Sequence, residues 1–153
     1  MSKIIFACLI FLSLTSFKLG EPDAILDCKS ASGRTLFHAE LPNCSYLGNA
    51  DFSIDGIKYS FTSGDICGVV FDPDIKILTI YLETNNKDSK QHRFLKFWAL
   101  PDSFKKIKSA TGPGSKFDDV YEFKAKIYGT EPRLGFENNT KTIELNCTLE
   151  FVL

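Results

Sequence analysis

Apolar and polar residues alternate with a period of two along much of the chain, which is the pattern of half-buried β-strands. The most regular segment is residues 143–151, where apolar and polar positions alternate without a break. Residues 121–127 alternate in the same way, with Tyr121 and Ile127 on the apolar side. A helix would instead repeat its apolar positions every three or four residues. The pattern therefore predicts strands in both segments.

A short turn signal joins two of the predicted strands into a hairpin. The dipeptide Asp55-Gly56 separates residues 50–54 from residues 57–61, and both flanking segments alternate. This dipeptide favours a two-residue hairpin turn because glycine adopts a positive φ without strain. We therefore predict a hairpin centred on Gly56.

A second hairpin is predicted around the tripeptide Asp72-Pro73-Asp74, between residues 66–71 and residues 75–82. Proline sets φ for a tight turn, and the aspartate side chains accept hydrogen bonds from the turn backbone. The second segment has apolar residues at both alternating positions. On one side these are Ile75, Ile77 and Tyr81, and on the other Leu78, Ile80 and Leu82. We therefore expect this strand to lie in the middle of a sheet, covered on both faces.

The remaining pattern sets the fold class. Residues 94–101 form an aromatic-rich segment that predicts another strand, and Asp102 or Ser103 is predicted to cap one short helical turn near residues 102–109. About eight short strands separated by frequent turns indicate a mostly β protein. We expect an antiparallel β-sandwich or a barrel-like sandwich.

The first twenty residues have the organisation of a secretory signal peptide. Lys3 precedes an apolar run at residues 4–14, and small residues follow. The run is shorter than the roughly 20 residues that a membrane-spanning helix needs. We therefore predict a signal peptide over residues 1–20, a single β-sandwich domain over residues 21–153, no transmembrane segment, and a secreted or periplasmic protein.

Four cysteines follow the predicted signal peptide, and an even number in an exported chain indicates two disulfides. Among the three possible pairings we favour Cys28–Cys147, which would join the first predicted strand to the last, together with Cys44–Cys67. Zinc binding is the weaker alternative, because the chain has no Cys-x-x-Cys pair and no histidine beside a cysteine.

The charge of the chain argues against nucleic acid as the main partner. The formal net charge is −1, and it becomes −3 when Lys3 and Lys18 leave with the signal peptide (−1 minus 2). Nucleic-acid binding depends on a surplus of basic side chains. We expect a protein or saccharide partner instead, and a monomer.

The residue types that carry catalysis are sparse. The chain has two histidines, His38 and His92, and it lacks the usual hydrolase, metalloprotease and phosphate-binding motifs. His38 and Glu40 are two residues apart on a predicted strand, so both side chains would face the same way. They support the alternative hypothesis of a small secreted metal-dependent hydrolase. A calcium site at the turn aspartates is less well supported, since their spacing is not that of a calcium loop.

One segment combines basic and aromatic side chains. Trp98 lies near Lys96 and Arg93, and a lysine cluster follows at Lys105, Lys106 and Lys108. Aromatic rings beside cations can clamp an anionic or polar ligand. The simpler alternative is that Trp98 belongs to the core and the lysines are solvated.

The sequence thus predicts an exported, non-enzymatic binding domain without a cofactor or a bound metal, acting on a protein surface or a saccharide, in one version as an inhibitor. The predicted contact residues are Trp98, Lys96, Arg93, Lys105, Lys106 and Lys108. A component of a surface assembly that completes a neighbour or donates a strand to it is a further possibility.

Overall fold

The computed structural model describes residues 23–44, 46–62, 64–85, 93–109, 118–129 and 142–152. The predicted signal peptide at residues 1–20 and His92 lie outside these residues. Within them, no helix is long and apolar enough to cross a membrane.

Ten strands account for most of the described chain, in place of the eight or so that the sequence predicts. They are β1 (Asp23–Lys29), β2 (Thr35–Leu41), β3 (Ala50–Ile54), β4 (Ile57–Phe61), β5 (Ile66–Asp72), β6 (Ile77–Glu83), β7 (Phe94–Ala99), β8 (Lys105–Lys108), β9 (Val120–Gly129) and β10 (Ile143–Val152). All of the pairings between them are antiparallel. The mostly β, antiparallel fold class is therefore confirmed.

The strands form one curled sheet with the order β4-β3-β2-β1-β10-β9-β7-β6-β5, and β8 pairs with the part of β9 that extends beyond β7. Contacts between strands that are distant in this order show the curling. The rings of Phe37 on β2 and Phe97 on β7 lie 5.2 Å apart between centroids, and those of Phe71 on β5 and Phe151 on β10 lie 5.7 Å apart. The inner face of the sheet is thus folded onto itself, as in a barrel-like sandwich.

One apolar core fills the inner face. The alternation of the strands sends every second side chain into it, which is why β10 and β9 are buried at alternate positions. The largest fully buried side chains are Phe37, Phe52, Phe97, Phe151, Leu26, Leu41, Leu78, Ile80, Leu82, Leu95 and Ile127. The polar positions of the same strands form the outer face of the sheet.

The predicted hairpin at Gly56 is confirmed. Asp55 has φ of 51° and Gly56 has φ of 81°, the two consecutive positive values of a type I′ turn. Asp55 also forms an ion pair with Arg34, which precedes β2. The turn therefore fixes the register between β3 and β4.

The hairpin of β5 and β6 is also present, but β6 is not buried on both faces. An oxygen of the Asp72 carboxylate accepts hydrogen bonds from the backbone N–H groups of Asp74 (3.0 Å) and Ile75 (3.3 Å). Ile75 lies in the turn and is 62 % exposed, and Ile77 is exposed at the start of β6. Only the face of β6 that points into the core is covered. β6 is the second strand from the edge of the sheet rather than a central one, so the expectation of two covered faces is wrong.

The predicted helical turn near residues 102–109 is a short 3-10 turn, Pro101–Ser103, followed by strand β8. The hydroxyl of Ser103 accepts a hydrogen bond from the backbone N–H of Lys124 (2.8 Å) and donates one to the carbonyl of Leu100 (2.6 Å). This ties the turn to β9. The chain then continues along β9 as a strand, because β9 offers backbone partners beyond the end of β7.

The predicted Cys28–Cys147 disulfide is present, and it links residues that face each other in the pairing of β1 with β10. Cys67, in contrast, is a free and exposed thiol on edge strand β5, so the predicted Cys44–Cys67 disulfide is wrong. The sequence gives only the length of the loop between the two cysteines, whereas the order of the strands decides which cysteines meet. Cys44 comes shortly after β2, whereas Cys67 lies on β5, which is six positions away from β2 in the sheet order.

Candidate functional site

Trp98 lies on the outer face of β7 and is half-buried there. Its neighbour Phe97 points the other way and is fully buried in the core. The alternation of the strand therefore places Trp98 on the same face as Lys96, which is exposed. Trp98 is a surface residue packed against other outer-face side chains, and not a member of the core.

Three further aromatic side chains lie on this face and connect to Trp98 through a chain of ring contacts. The ring of Tyr128 on β9 meets Trp98 in a T-shaped contact with a centroid distance of 6.0 Å. Phe94 makes a second T-shaped contact with Tyr128 at 5.6 Å and stacks on Tyr81 of β6 at 6.1 Å. We refer to Tyr81, Phe94, Trp98 and Tyr128 as the aromatic patch.

Lys96 occupies the centre of the aromatic patch. Tyr81 is its partner on β6 and Tyr128 its partner on β9. Phe94 and Trp98 flank it at two residues' distance on β7, on the same face. Its ammonium nitrogen lies 6.0 Å from the centroid of the Trp98 ring, at the limit of a cation–π contact. A single cation is therefore surrounded by four rings.

Polar side chains border the patch at the Phe94 end and at the Trp98 end. The hydroxyl of Tyr81 donates a hydrogen bond of 2.5 Å to the carboxylate of Glu83. This bond to a charged acceptor is the main cause that raises the pKa of Tyr81 to about 12. Lys126 and Thr79 are the register partners of Trp98 on the two neighbouring strands. The patch can therefore offer hydrogen-bonding groups beside its rings.

Toward the sheet edge the outer face remains apolar. Ile66 (51 % exposed) and Val70 (61 % exposed) lie on β5, with Gly68 between them at the position paired with Tyr81. A side-chain carbon built on Gly68 would meet nothing within 4 Å. The face beside Tyr81 is therefore open rather than filled.

The structure does not unite all six predicted contact residues. Trp98 and Lys96 lie together, but the guanidinium of Arg93 lies 4.7 Å from the ring centroid of Tyr59, a buried residue of β4. Arg93 thus contacts β4, which lies at the opposite edge of the curled sheet.

The lysine cluster is divided in a similar way. Lys106 forms a 2.7 Å ion pair with the buried carboxylate of Asp119 and lies 5.6 Å from the ring centroid of Tyr121. The hydrogen bond to Asp119 raises the pKa of Lys106. Lys108 is exposed at the end of β8, whereas Lys105 lines a groove on the outer face. Lys106 therefore has a structural partner, and Lys105 lines a concave surface.

That groove consists of two adjoining cavities, of about 590 and 430 Å³, on the outer face of β8, β9, β10, β1 and β2. The two share Lys29, Asn146 and Thr148. The larger cavity is also lined by Lys105 and Lys124. We refer to the pair of cavities as the polar groove.

His38 and Glu40, the residues of the alternative hydrolase hypothesis, have separate partners. Nδ1 of His38 lies 2.8 Å from a carboxylate oxygen of Asp27. Glu40 accepts a 3.2 Å hydrogen bond from the side-chain amide of Asn49. Within the described parts of the chain, no three histidine, cysteine, aspartate or glutamate side chains form a group that could hold a metal ion.

Tyr81 and Tyr128 were not among the predicted contacts, although the sequence carries a signal for both. Tyr128 occupies the same alternating positions as Lys124 and Lys126, and these positions form the polar side of the strand. An aromatic residue at a polar parity indicates an exposed ring. Tyr81 was assigned to a buried face because Ile75 and Ile77 share its parity.

Comparison with known proteins adds no relative: no family model matches the chain, and neither the curated proteins nor the solved structures include a match. The aromatic patch and the polar groove are therefore the observations on which a function can be argued.

Proposed function

We propose that this protein is an exported, non-enzymatic binding protein and that it holds its partner, a protein surface or a saccharide, on the aromatic patch. The observation that carries the proposal is the position of Trp98 on the outer face, beside Lys96 and in contact with Tyr128, at one end of a connected group of four rings. The four rings are half-buried and form one contiguous surface, and contiguous apolar surface that stays partly open to solvent is a feature of interaction sites.

The energetics of such a patch favour binding. Aromatic side chains bury a large area with few rotatable bonds, and they dominate the binding energy of many interfaces. The rings here contact one another on paired strands, so they are already ordered before a partner arrives. Prior ordering lowers the entropic cost of association.

Export is supported by two observations of different kinds. The first twenty residues have the pattern of a signal peptide, and the Cys28–Cys147 disulfide belongs to proteins that reach an oxidising compartment. Export to the periplasm or to the extracellular space fits both equally.

The test uses Trp98 itself, because it is the single tryptophan of the chain. Candidate saccharides and exported proteins are titrated into the protein while tryptophan emission is recorded, and binding is measured in parallel by calorimetry. We expect a ligand that shifts the emission and whose affinity falls by about 30-fold or more in Trp98→Ala, the loss typical of an interface hot spot.

The matched control is Tyr46→Ala, which removes an aromatic side chain that is 53 % exposed and lies outside the patch. Its affinity should equal that of the wild type. Equal losses in both variants, or binding unaffected by Trp98→Ala, would contradict the proposal.

The second candidate function is a metal-dependent hydrolase that uses His38 and Glu40. The His38–Asp27 pair supports it, because a carboxylate that holds a histidine is a frequent element of catalytic sites. Metal analysis of protein purified without chelator, compared with His38→Ala, tests it. Stoichiometric metal that is lost in the variant would favour the enzyme over the binding protein.

A further inference from the structure

We infer that the ligand of the aromatic patch is an acidic oligosaccharide, and that it extends from the patch along the outer face of β9 into the polar groove. The inference rests on the proposed function, because it names the ligand of the same patch. Its evidence is the continuity of the two surfaces, the distribution of positive charge, and the chemistry of the groove.

The outer face of β9 connects the patch to the groove. Tyr128 belongs to the patch, Lys124 lines the groove, and Lys126 lies between them on the same face. Alternate residues of a strand are about 6.8 Å apart, so the path from Tyr128 to Lys124 measures about 14 Å. A compact ligand would occupy one site, whereas an extended chain can contact both.

Positive charge lines this path, in a protein whose overall charge is slightly negative. The lysines concerned are Lys29, Lys96, Lys105, Lys124 and Lys126. Carboxylates also lie along it: Glu122 is the register partner of Lys105, Asp27 lines the smaller cavity beside Lys29, and Glu144 pairs with Lys124 at 3.0 Å and faces Lys126 in the register of β9 and β10. Both members of that ion pair are more than half exposed, and exposed pairs contribute at most about 1 kcal/mol. Lys124 can therefore exchange Glu144 for an anionic group of a ligand.

The groove offers the other contacts that a sugar chain needs. Asn146 and Thr148 line it with amide and hydroxyl groups, which can both donate and accept hydrogen bonds. Sugar hydroxyl groups require such partners, while the apolar faces of sugar rings suit the rings of Trp98 and Tyr128. An acidic sugar chain is the ligand class that uses rings, lysines and hydroxyl groups along one line.

The experiment compares two probes with the same backbone, oligogalacturonate and its methyl-esterified form, which lacks the negative charge. Trp98 emission and calorimetry report binding. We expect the acidic form to bind at least about tenfold more tightly, and its affinity to fall as the salt concentration rises, because exposed charges are screened. A heparin oligosaccharide forms a second arm, which distinguishes a sulfated ligand from a carboxylated one.

The lysines of the path are tested by substitution. Lys126→Gln should weaken oligogalacturonate binding by up to about fivefold, the value of one exposed ion pair, and the double variant with Lys124→Gln should weaken it further. The control is Lys58→Gln, whose lysine lies on β4 at the far edge of the sheet and pairs with Asp51. Lys58→Gln should bind like the wild type.

The outcomes separate this inference from the proposed function. Equal binding of the acidic and the esterified probe, or Trp98-dependent binding of a protein but of neither acidic saccharide, would overturn the inference and leave the aromatic patch as the binding site. Binding of the acidic probes that is unaffected by Trp98→Ala would overturn both.

Discussion

The ammonium group of Lys96 and the indole ring of Trp98 lie on one face of β7, with the nitrogen 6.0 Å from the ring centroid. Two residues that are close in sequence become neighbours on the surface because the strand sends Phe97, between them, into the core. The only tryptophan of the chain is consequently partly open to solvent beside a positive charge.

This relationship predicts a charge-dependent quenching of tryptophan fluorescence. Iodide should quench Trp98 more efficiently than caesium, because Lys96 attracts the anion and repels the cation. In Lys96→Gln the difference between the two quenchers should become smaller, while neutral acrylamide should quench both proteins alike. Equal quenching by iodide and caesium in the wild type would contradict the arrangement.

The contact between Tyr81 and Glu83 predicts a late-titrating tyrosine. The hydrogen bond to Glu83 raises the pKa of Tyr81 to about 12, against about 10 for an unperturbed tyrosine. A pKa that is higher in the native state means that the native protein binds this proton more tightly than the unfolded chain. The resulting stabilisation is complete below pH of about 10 and is lost as the pH rises from about 10 to about 12.

Ultraviolet titration of the phenolate measures this directly. The wild type should show one of its five tyrosines titrating last, Tyr81→Phe should lack that step, and Glu83→Gln should move it toward the ordinary pKa. A step that stays in place in Glu83→Gln would show that Glu83 is not its cause.

Lys106 and Asp119 predict a difference between neighbouring lysines. The carboxylate of Asp119 is 3 % exposed, and Lys106 reaches it at 2.7 Å, whereas Lys108 is exposed. Removing the charge of Lys106 leaves a buried carboxylate with fewer partners, which costs about 1–3 kcal/mol. Lys106→Gln should therefore lower the free energy of unfolding by about that amount, and Lys108→Gln by less than about 0.5 kcal/mol.

Chemical denaturation of both variants at neutral pH makes this comparison. Because the pKa of Lys106 is raised in the folded state, its contribution is complete at neutral pH and declines only in strongly alkaline solution. Equal stabilities of the two variants would assign Lys106 to the solvated surface.

Local patterns predicted the parts of the fold that depend on local physics. The alternation in β9 and β10 and the turn at Asp55-Gly56 appear in the structure where the sequence places them. The pairing of Cys28 with Cys147 is also confirmed, since the first and the last strand are neighbours in the sheet. The strands and the turn are determined by residues that are close in sequence. The disulfide could be predicted because it joins the first strand to the last.

The order of the strands in the sheet could not be predicted from the sequence. The apolar parity of Ile75 and Ile77 indicated a buried second face on β6, but Ile75 lies in the turn and β6 lies next to the edge. The same limit separated the predicted contacts Arg93 and Lys106 from Trp98, because each is drawn to a partner on a distant segment. Charge and sequence proximity cannot reveal such partners.

The disulfide predicts a large dependence of stability on the oxidation state. Cys28 and Cys147 are separated by 119 residues in the chain, and both are buried between β1 and β10. By the chain-entropy model a closed loop of that size restricts the unfolded state enough to contribute on the order of 4–5 kcal/mol, and removal of native disulfides typically costs about 2–5 kcal/mol. The double variant Cys28→Ala, Cys147→Ala should lose a free energy of unfolding in that range.

The control variant is Cys67→Ala, which removes an exposed thiol and should lose less than about 1 kcal/mol of the free energy of unfolding. Addition of a reductant should destabilise the wild type and Cys67→Ala but leave the double variant unchanged. Equal stabilities of the wild type and the double variant in oxidising buffer would show that the two strands are held together without the covalent link.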